Sequence, residues 1–352
     1  MKIVALDVGK FKSVFIVRVA GGKVADRYGK IATTAGAIHD LLVEEQPDRL
    51  VLEIGPCAGW ICDLAAVLEI ERQVANVGDE RWRWVNIKKK TDRADALKMA
   101  ELSEMNRLPL VAMPAGEIRA WRSLIQYRAG LVARRTAIKN TIRSIYLCQG
   151  LQMSRSSATW SKAGLVDLNK DARPLSECDR LNLWRGQLHE ELQQLASMEK
   201  NIEAVEAKLD EIAAADKRVA LVRTAPFVGP RLGELVVAVL DDAKRFKNRK
   251  QVGAYAGLTP RVWQSGESMR QGHISLMGDP LLRAILTEVC WLGIRRDGWI
   301  KNTYENVLRG NEKRKKVAII AVARRLLIRL WAMLRDNTQW IEPLPQREAA
   351  MA

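Results

Sequence analysis

Four carboxylates stand in the sequence contexts that a single metal centre would need. Asp7 interrupts an apolar run, Ile3-Val4-Ala5-Leu6-Asp7-Val8-Gly9, that otherwise reads as a buried strand. Glu53 closes a second run, Leu50-Val51-Leu52-Glu53, just ahead of Gly55-Pro56. Asp92 and Asp95 lie three residues apart in Thr91-Asp92-Arg93-Ala94-Asp95-Ala96, a helix start, so both fall on one side of the helix. A buried carboxylate without a partner is costly, and a divalent cation is the usual compensation. Acids from two strand ends and one helix face can hold a pair of Mg²⁺ ions. Two such ions roughly 4 Å apart activate the attacking oxygen and steady the leaving oxygen in phosphodiester chemistry. Each acid alone could instead be a surface residue or a helix cap, and Thr91 and Asp92 both suit the cap. That alternative is weakest for Asp7, given its apolar flanks.

The elements that must position these acids alternate along residues 1–110. Ile3–Val8, Ser13–Val19 and Lys23–Ile31 read as successive strands, with Gly21-Gly22 marking a hairpin turn. A helix over 35–45, the strand ending at Glu53, a helix over about 58–69, a strand at Gln73–Val77 and helices to either side of Asp92 follow. Three strands and then helix-strand-helix-strand-helix is the element order of an α/β RNase H-like domain. Such a fold carries one acid on its first strand, one at the end of the fourth beside it, and the rest on a late helix.

Composition narrows the partners. The chain has 352 residues, 57 Lys+Arg against 41 Asp+Glu and a formal net charge of +16, an excess that favours a polyanion, nucleic acid first. A membrane is the rival, yet no apolar stretch reaches the roughly 20 residues a spanning helix needs. Its best candidate, Val317–Leu334, is broken by Arg324, Arg325 and Arg329. The amino terminus enters a strand-like run directly, which argues against a signal peptide. Five scattered cysteines without a Cys-x-x-Cys pair, and only three histidines, leave no ligand set for zinc. Reduced thiols in a cytoplasmic protein, on the nucleoid when bound to DNA, are the expectation.

Beyond the first domain the pattern changes three times. A basic helical segment and linker occupy 111–178. Over 81–150 there are 15 Lys/Arg against 5 Asp/Glu, with Trp82, Trp84, Trp121, Tyr127 and Tyr146 interleaved. That is either a phosphate-tracking groove or a solvated face over core aromatics. Over 179–216 the charge inverts, and Leu188, Leu192, Leu195, Ile202, Val205, Leu209 and Ile212 recur at spacings near three and four. Such a stripe predicts a coiled-coil helix that oligomerises or packs antiparallel on a neighbour. Residues 217–340 read as a mainly helical domain. Its Thr224–Pro230 segment resembles the turn of a helix-hairpin-helix, and its basic stretches at Lys244–Lys250 and Lys313–Lys316 could line a nucleic-acid path.

Between those stretches lies Ser265-Gly266-Glu267-Ser268-Met269-Arg270-Gln271-Gly272-His273-Ile274-Ser275-Leu276-Met277-Gly278-Asp279-Pro280-Leu281-Leu282-Arg283. A hydroxyl here could attack a phosphodiester if its proton were removed and the developing charge stabilised. Most serines beside glycine are turn or cap residues. At this point the sequence resembles a known family. Asp7-Val8-Gly9, Glu53 in Leu-Glu-Ile-Gly and Thr91–Ala96 are similar to the amino-terminal DEDD domain of the insertion-sequence-110 transposases, which include Piv-type invertases. Leu221–Gly229, Phe246–Pro260 and Gly272–Arg283 resemble the carboxyl-terminal domain of that family.

The resemblance implies a RuvC-like domain binding Mg²⁺ through Asp7, Glu53, Asp92 and Asp95, and a serine nucleophile, Ser275 by motif position. It implies a covalent phosphoserine link to donor and target DNA, no membrane association, and a homo-oligomer, dimer or tetramer, whose composite sites pair one subunit's acids with another's serine. It also implies a structured noncoding guide (bridge) RNA encoded by the element. The chain departs from the family in carrying Leu276 where a Lys often follows the serine. Ser265 and Ser268 are the secondary candidates, and His273 is a general base or, more plainly, a turn residue. The competing readings are a RuvC-like junction nuclease that uses water, and a nucleic-acid-binding scaffold without catalysis.

Overall fold

The computed structural model describes residues 1–21, 27–79, 91–154, 156–265 and 268–341. They form two compact units, Met1–Arg119 and Ala120–Ala352. Trp82, Trp84, the Gly22 side of the first hairpin turn and the segment leading up to Thr91 lie outside the described residues.

In the amino-terminal unit, β1 (Lys2–Asp7), β2 (Lys12–Val19), β3 (Arg27–Ala32), β4 (Arg49–Glu53) and β5 (Glu71–Ala75) make one sheet in the order β3-β2-β1-β4-β5. β1, β4 and β5 run parallel, and β2 is antiparallel to both of its neighbours. The fifth strand lies two residues earlier than the sequence pattern suggests. Alternation then sorts the side chains. Val4, Leu6, Leu50 and Leu52 face α1 (Ala35–Glu45) and α2 (Ala58–Val67), packing on Ile38, Leu42 and Ile61. Ile3, Ala5 and Val51 face the other way, onto Met99 and Ala100 of α3 (Asp92–Glu104), while Val14 and Ile16 meet Ala96. The sheet is therefore buried on both faces, which is why β1 and β4 read as unbroken apolar runs.

The carboxyl-terminal unit is mostly helical. It contains the greater part of α4 (Gly116–Cys148), then α5 (Lys162–Asp171) and α6 (Leu183–Ala215). Ile138, Ile142 and Tyr146 of α4 share a core with Leu188, Leu192 and Leu195 of α6. Along the same seam Arg128 bonds Glu206, and Arg135 and Lys139 bond Glu199. Residue numbers rise on one helix as they fall on the other, so the pair is antiparallel. The apolar stripe of 179–216 thus finds a partner within its own chain.

The remaining elements are α7 (Lys217–Val222), α8 (Pro230–Leu240), α9 (Arg249–Tyr255), β6 (Pro260–Ser265), β7 (Ser268–Ile274), α10 (Pro280–Gly293), α11 (Gly298–Leu308) and α12 (Lys315–Asp336). Every residue of α8 from Leu232 to Leu240 is buried. Its carboxyl-terminal carbonyls would be orphans in that setting. Arg122 donates to the carbonyls of Ala238 and Val239, and Arg245 to those of Val239 and Leu240. Burial holds the Arg122 guanidinium below its ordinary pKa. Glu234, on the same helix, is bonded by Arg231 and pushed up to about 7 by burial. Among the described residues no helix is long and apolar enough to cross a membrane.

Candidate active site

The backbone brings the four acids to one edge of the amino-terminal unit, on one side of the sheet. Leu6 pairs with Leu52 across parallel strands, so Asp7 and Glu53 stand next to each other where β1 and β4 end. Both continue the odd-numbered set, Ile3, Ala5 and Val51, that faces α3. α3 runs back along this face. At its carboxyl end Glu104 is bonded by Arg18 at 2.6 Å, and Ser103 accepts from Arg49, both arginines lying level with Ile3 at the start of β1. A 13-residue helix and a six-residue strand each span roughly 20 Å, so the first turn of α3 lies level with Asp7. Ala96 against Val14, the residue paired with Asp7, agrees.

Thr91 supplies the helix cap, its Oγ1 accepting from the Ala94 N–H at 3.2 Å, which leaves the Asp92 carboxylate out of the capping role. Asp92 is exposed, and Asp7, Glu53 and Asp95 are half-buried. All four offer hard carboxylate oxygens, the donor type Mg²⁺ takes, and the helix amino terminus favours negative charge beside it. Among the described residues no three His, Cys, Asp or Glu side chains stand close enough together to hold an ion as they are. The donors fit the ion in type and in shared edge; closing a shell around one asks for side-chain rearrangement. Gly9 belongs to this edge too, since a Cβ there would meet the Lys12 carbonyl oxygen at 2.4 Å in the tight turn after Asp7. Thr91→Ala is expected to cost about 1 kcal/mol in chemical denaturation, and to weaken divalent-ion binding in calorimetry by loosening the turn that carries Asp92 and Asp95.

The serine stands in the carboxyl-terminal unit, at the foot of a β-hairpin that helical patterning does not foresee. β6 and β7 pair antiparallel from Pro260↔Ile274 to Ser265↔Ser268. Ser265 and Ser268 close the far tip, seven residues and roughly 20 Å from the foot, and Ser268 Oγ bonds the Ser265 carbonyl. Ser275 follows β7 directly, and its N–H donates to the Thr259 carbonyl at 2.8 Å. Its Oγ is buried with no hydrogen-bond partner among the described residues. An unmet buried hydroxyl costs about 1–3 kcal/mol and calls for an explanation. His273 is exposed.

The loop after Ser275 is held in an uncommon shape. Leu276 has φ +59 and Gly278 φ +75, in the left-handed region. Arg283 ties it down by donating to the carbonyls of Ala256, Met277 and Gly278. Asp279 caps α10 and accepts from Gln126 at 2.8 Å. Gly257, itself at φ +67, lies against Met277 so closely that a Cβ would fall 1.9 Å from the Met277 carbonyl oxygen. Ala256-Gly257-Leu258-Thr259-Pro260 and Ser275–Gly278 are thus two halves of one backbone contact.

Two family profiles match the regions that carry these two sites. One, described as transposase, of the IS110 DEDD type, covers residues 4–147; the other, described as the transposase IS116/IS110/IS902 family, covers 219–305. The chain belongs to the IS110 family of transposases. It is accordingly a DNA transposase, an enzyme. It is 23% identical to the transposase for insertion sequence element IS1328 of Yersinia enterocolitica, over 82% of this chain and 84% of the other. With the transposase for insertion sequence element IS1111A of Coxiella burnetii it shares 27% identity over 70% of this chain and 66% of the other. With the pilin gene-inverting protein of Moraxella lacunata the figure is 33%, over 34% of this chain and 38% of the other.

The structure also redistributes the basic residues of this transposase. Trp121 and Tyr146, which the sequence offers to a phosphate groove, are core residues, Tyr146 bonding Asp171 at 2.9 Å. Arg128, Arg135 and Lys139 are engaged at the α4–α6 seam, and Arg245 at the α8 terminus. Lys315 pairs with Glu312 one turn away. Sequence reasoning missed a cleft of about 600 Å³ lined by Arg249, Lys250, Thr259, Trp299, Arg324, Arg325 and Arg329. Its signal is three arginines at positions i, i+1 and i+5 of α12, in a helix otherwise apolar enough to be weighed as a membrane span.

Proposed function

We propose that this transposase cuts and rejoins the DNA strands of an insertion sequence through a covalent Ser275–DNA intermediate, with Mg²⁺ held by Asp7, Glu53, Asp92 and Asp95. The observation that carries this reading is the Ser275 hydroxyl, buried with no hydrogen-bond partner among the described residues, on a loop fixed by Arg283 and by the Gly257 contact. Strand order β3-β2-β1-β4-β5, with acids at the ends of the first and fourth strands, supports an RNase H-like, RuvC-like fold for the amino-terminal domain. The formal charge of +16 suits both DNA and a structured noncoding guide RNA, and the family resemblance favours a dimer or tetramer.

A change of side-chain rotamer, a fast motion, presents the Ser275 Oγ to phosphorus. Oγ then bonds to phosphorus as the bond from phosphorus to one deoxyribose oxygen breaks. The serine proton passes to solvent, and the displaced oxygen takes a proton from solvent and leaves as a hydroxyl. Attack by a hydroxyl of the second strand reverses these events and frees the serine, so rejoining needs no nucleotide cofactor. A divalent ion bound by the carboxylates would supply charge stabilisation at the phosphate and lower the effective pKa of the hydroxyl. The test is to trap the adduct on element-end DNA and map it by peptide mass. A phosphoserine link at residue 275, absent in Ser275→Ala, is expected. Cleavage at the wild-type rate by Ser275→Ala would favour a nuclease that uses water.

A further inference from the structure

The cleft beside the serine loop gathers five cations and has no carboxylate in its lining; Asp297 acts on Arg329 only from beyond ion-pair distance. Arg249 and Lys250 come from the start of α9, and Arg324, Arg325 and Arg329 from one side of α12. None of the five forms an ion pair among the described residues, although elsewhere in this unit arginines find Glu206, Glu199, Asp210 and Asp216. Five like charges around one concavity repel each other unless an anion enters. Gly253 gives Arg324 room on this wall: a Cβ at that position would press on the Arg324 Cδ at 3.3 Å. Arg329 is fixed rather than waving in solvent. It lies 3.8 Å over the Trp340 ring and 4.8 Å over that of Trp299, donates to the Ile341 carbonyl, and is held below its ordinary pKa by burial.

Thr259 joins this cleft to the serine. It lines the cavity, and its carbonyl accepts the Ser275 N–H. An anion seated in the cleft therefore lies one residue pair away from the nucleophile's own backbone.

We infer that the cleft formed by α9, α11 and α12 is a backbone-phosphate site of the DNA strand that Ser275 attacks, holding phosphates that flank the scissile one. This rests on the reading of Ser275 as the nucleophile. Guanidinium groups suit phosphate oxygens by geometry as well as charge. A volume near 600 Å³ is of the size that takes a nucleotide-sized ligand, and the adjoining indole of Trp299 offers apolar surface for a sugar or base.

The test uses the full chain and a labelled single strand bearing the element end. Lys250→Glu/Arg325→Glu, both exposed positions, is compared with wild type, with Lys250→Arg/Arg325→Lys, and with Lys208→Ala on the acidic helix α6. We expect DNA affinity to fall about tenfold or more for the Glu pair. The slope of log affinity against log salt should drop by roughly 0.7 for each phosphate that is no longer neutralised, about 1.4 in all. The charge-keeping pair should keep the wild-type slope, and the Lys208 variant should match wild type in both slope and affinity. Unchanged DNA affinity and slope in a Glu pair with wild-type circular dichroism would overturn the site. Loss of RNA binding alone would also overturn it, assigning the cleft to another strand. A changed slope in a protein that never forms the Ser275 adduct would retain the phosphate site while sinking the nucleophile assignment, so the two failures are separable.

Discussion

Asp7→Asn should lower adduct formation and strand rejoining by roughly three orders of magnitude while leaving the fold intact. The side chain keeps its shape, so the β1 core around Leu6 and Ala5, both fully buried, is undisturbed. What changes is one negative oxygen at the end of β1, beside Glu53 and level with the first turn of α3. A metal at a phosphoryl oxygen is worth several kcal/mol of transition-state charge stabilisation, and about 1.4 kcal/mol is tenfold in rate. Calorimetry with Mg²⁺ or Mn²⁺ should show weakened binding in parallel, with the circular dichroism of wild type. Normal adduct rates in Asp7→Asn would remove this edge from the chemistry. Normal ion binding combined with slow chemistry would place the ion elsewhere and leave Asp7 as a positioning group.

Asp7 stands out in the sequence as a candidate because a carboxylate in an apolar strand breaks a local rule, and such breaks concentrate where function overrides stability. Asp7 and Glu53 both terminate strands buried on two faces, and the element order of three strands followed by helix and strand is one in which the fourth strand lies beside the first. The meeting of Asp7 and Glu53 was therefore legible, as was the helix bearing Asp92 and Asp95. Which residue caps that helix was not, since Thr91 and Asp92 are equally good caps and only the geometry of the turn chooses. The carboxyl-terminal unit was harder. Leu188, Leu192 and Leu195 announce a helix with an apolar stripe, but the partner of a stripe is a tertiary fact, here Ile138 and Ile142 far upstream. The hairpin β6–β7 hid because its residues are exposed on both faces and so lack the period-two alternation that marks a half-buried strand. Charge counts misled for a related reason. They cannot separate Arg245, bonded to buried carbonyls, from Arg249 four residues on, which faces the cleft.

The second large effect is expected at Gly257, a residue remote in sequence from every chemical group. Gly257→Ala puts a Cβ 1.9 Å from the Met277 carbonyl oxygen and imposes a side chain on a backbone at φ +67. The left-handed conformation alone costs about 1–2 kcal/mol for a residue with a Cβ, and the clash is with backbone, which cannot swing aside as a flexible side-chain tip would. A total near 3 kcal/mol would lower the melting temperature of a domain this size by roughly 6–12 °C. If the chain relaxes instead, Met277 moves, Arg283 loses its grip on the Met277 and Gly278 carbonyls, and Ser275 shifts with the loop. Misplacement of a reacting group by about 1 Å can cost a hundredfold in rate. Gly257→Ala should therefore fail either in stability or in adduct yield, whereas Gly21→Ala, also at positive φ but with no atom of the described residues within 4 Å of its Cβ, should show only the conformational cost. Melting curves and adduct yields that match between the two variants would mean that the Gly257–Met277 contact does not hold the serine loop.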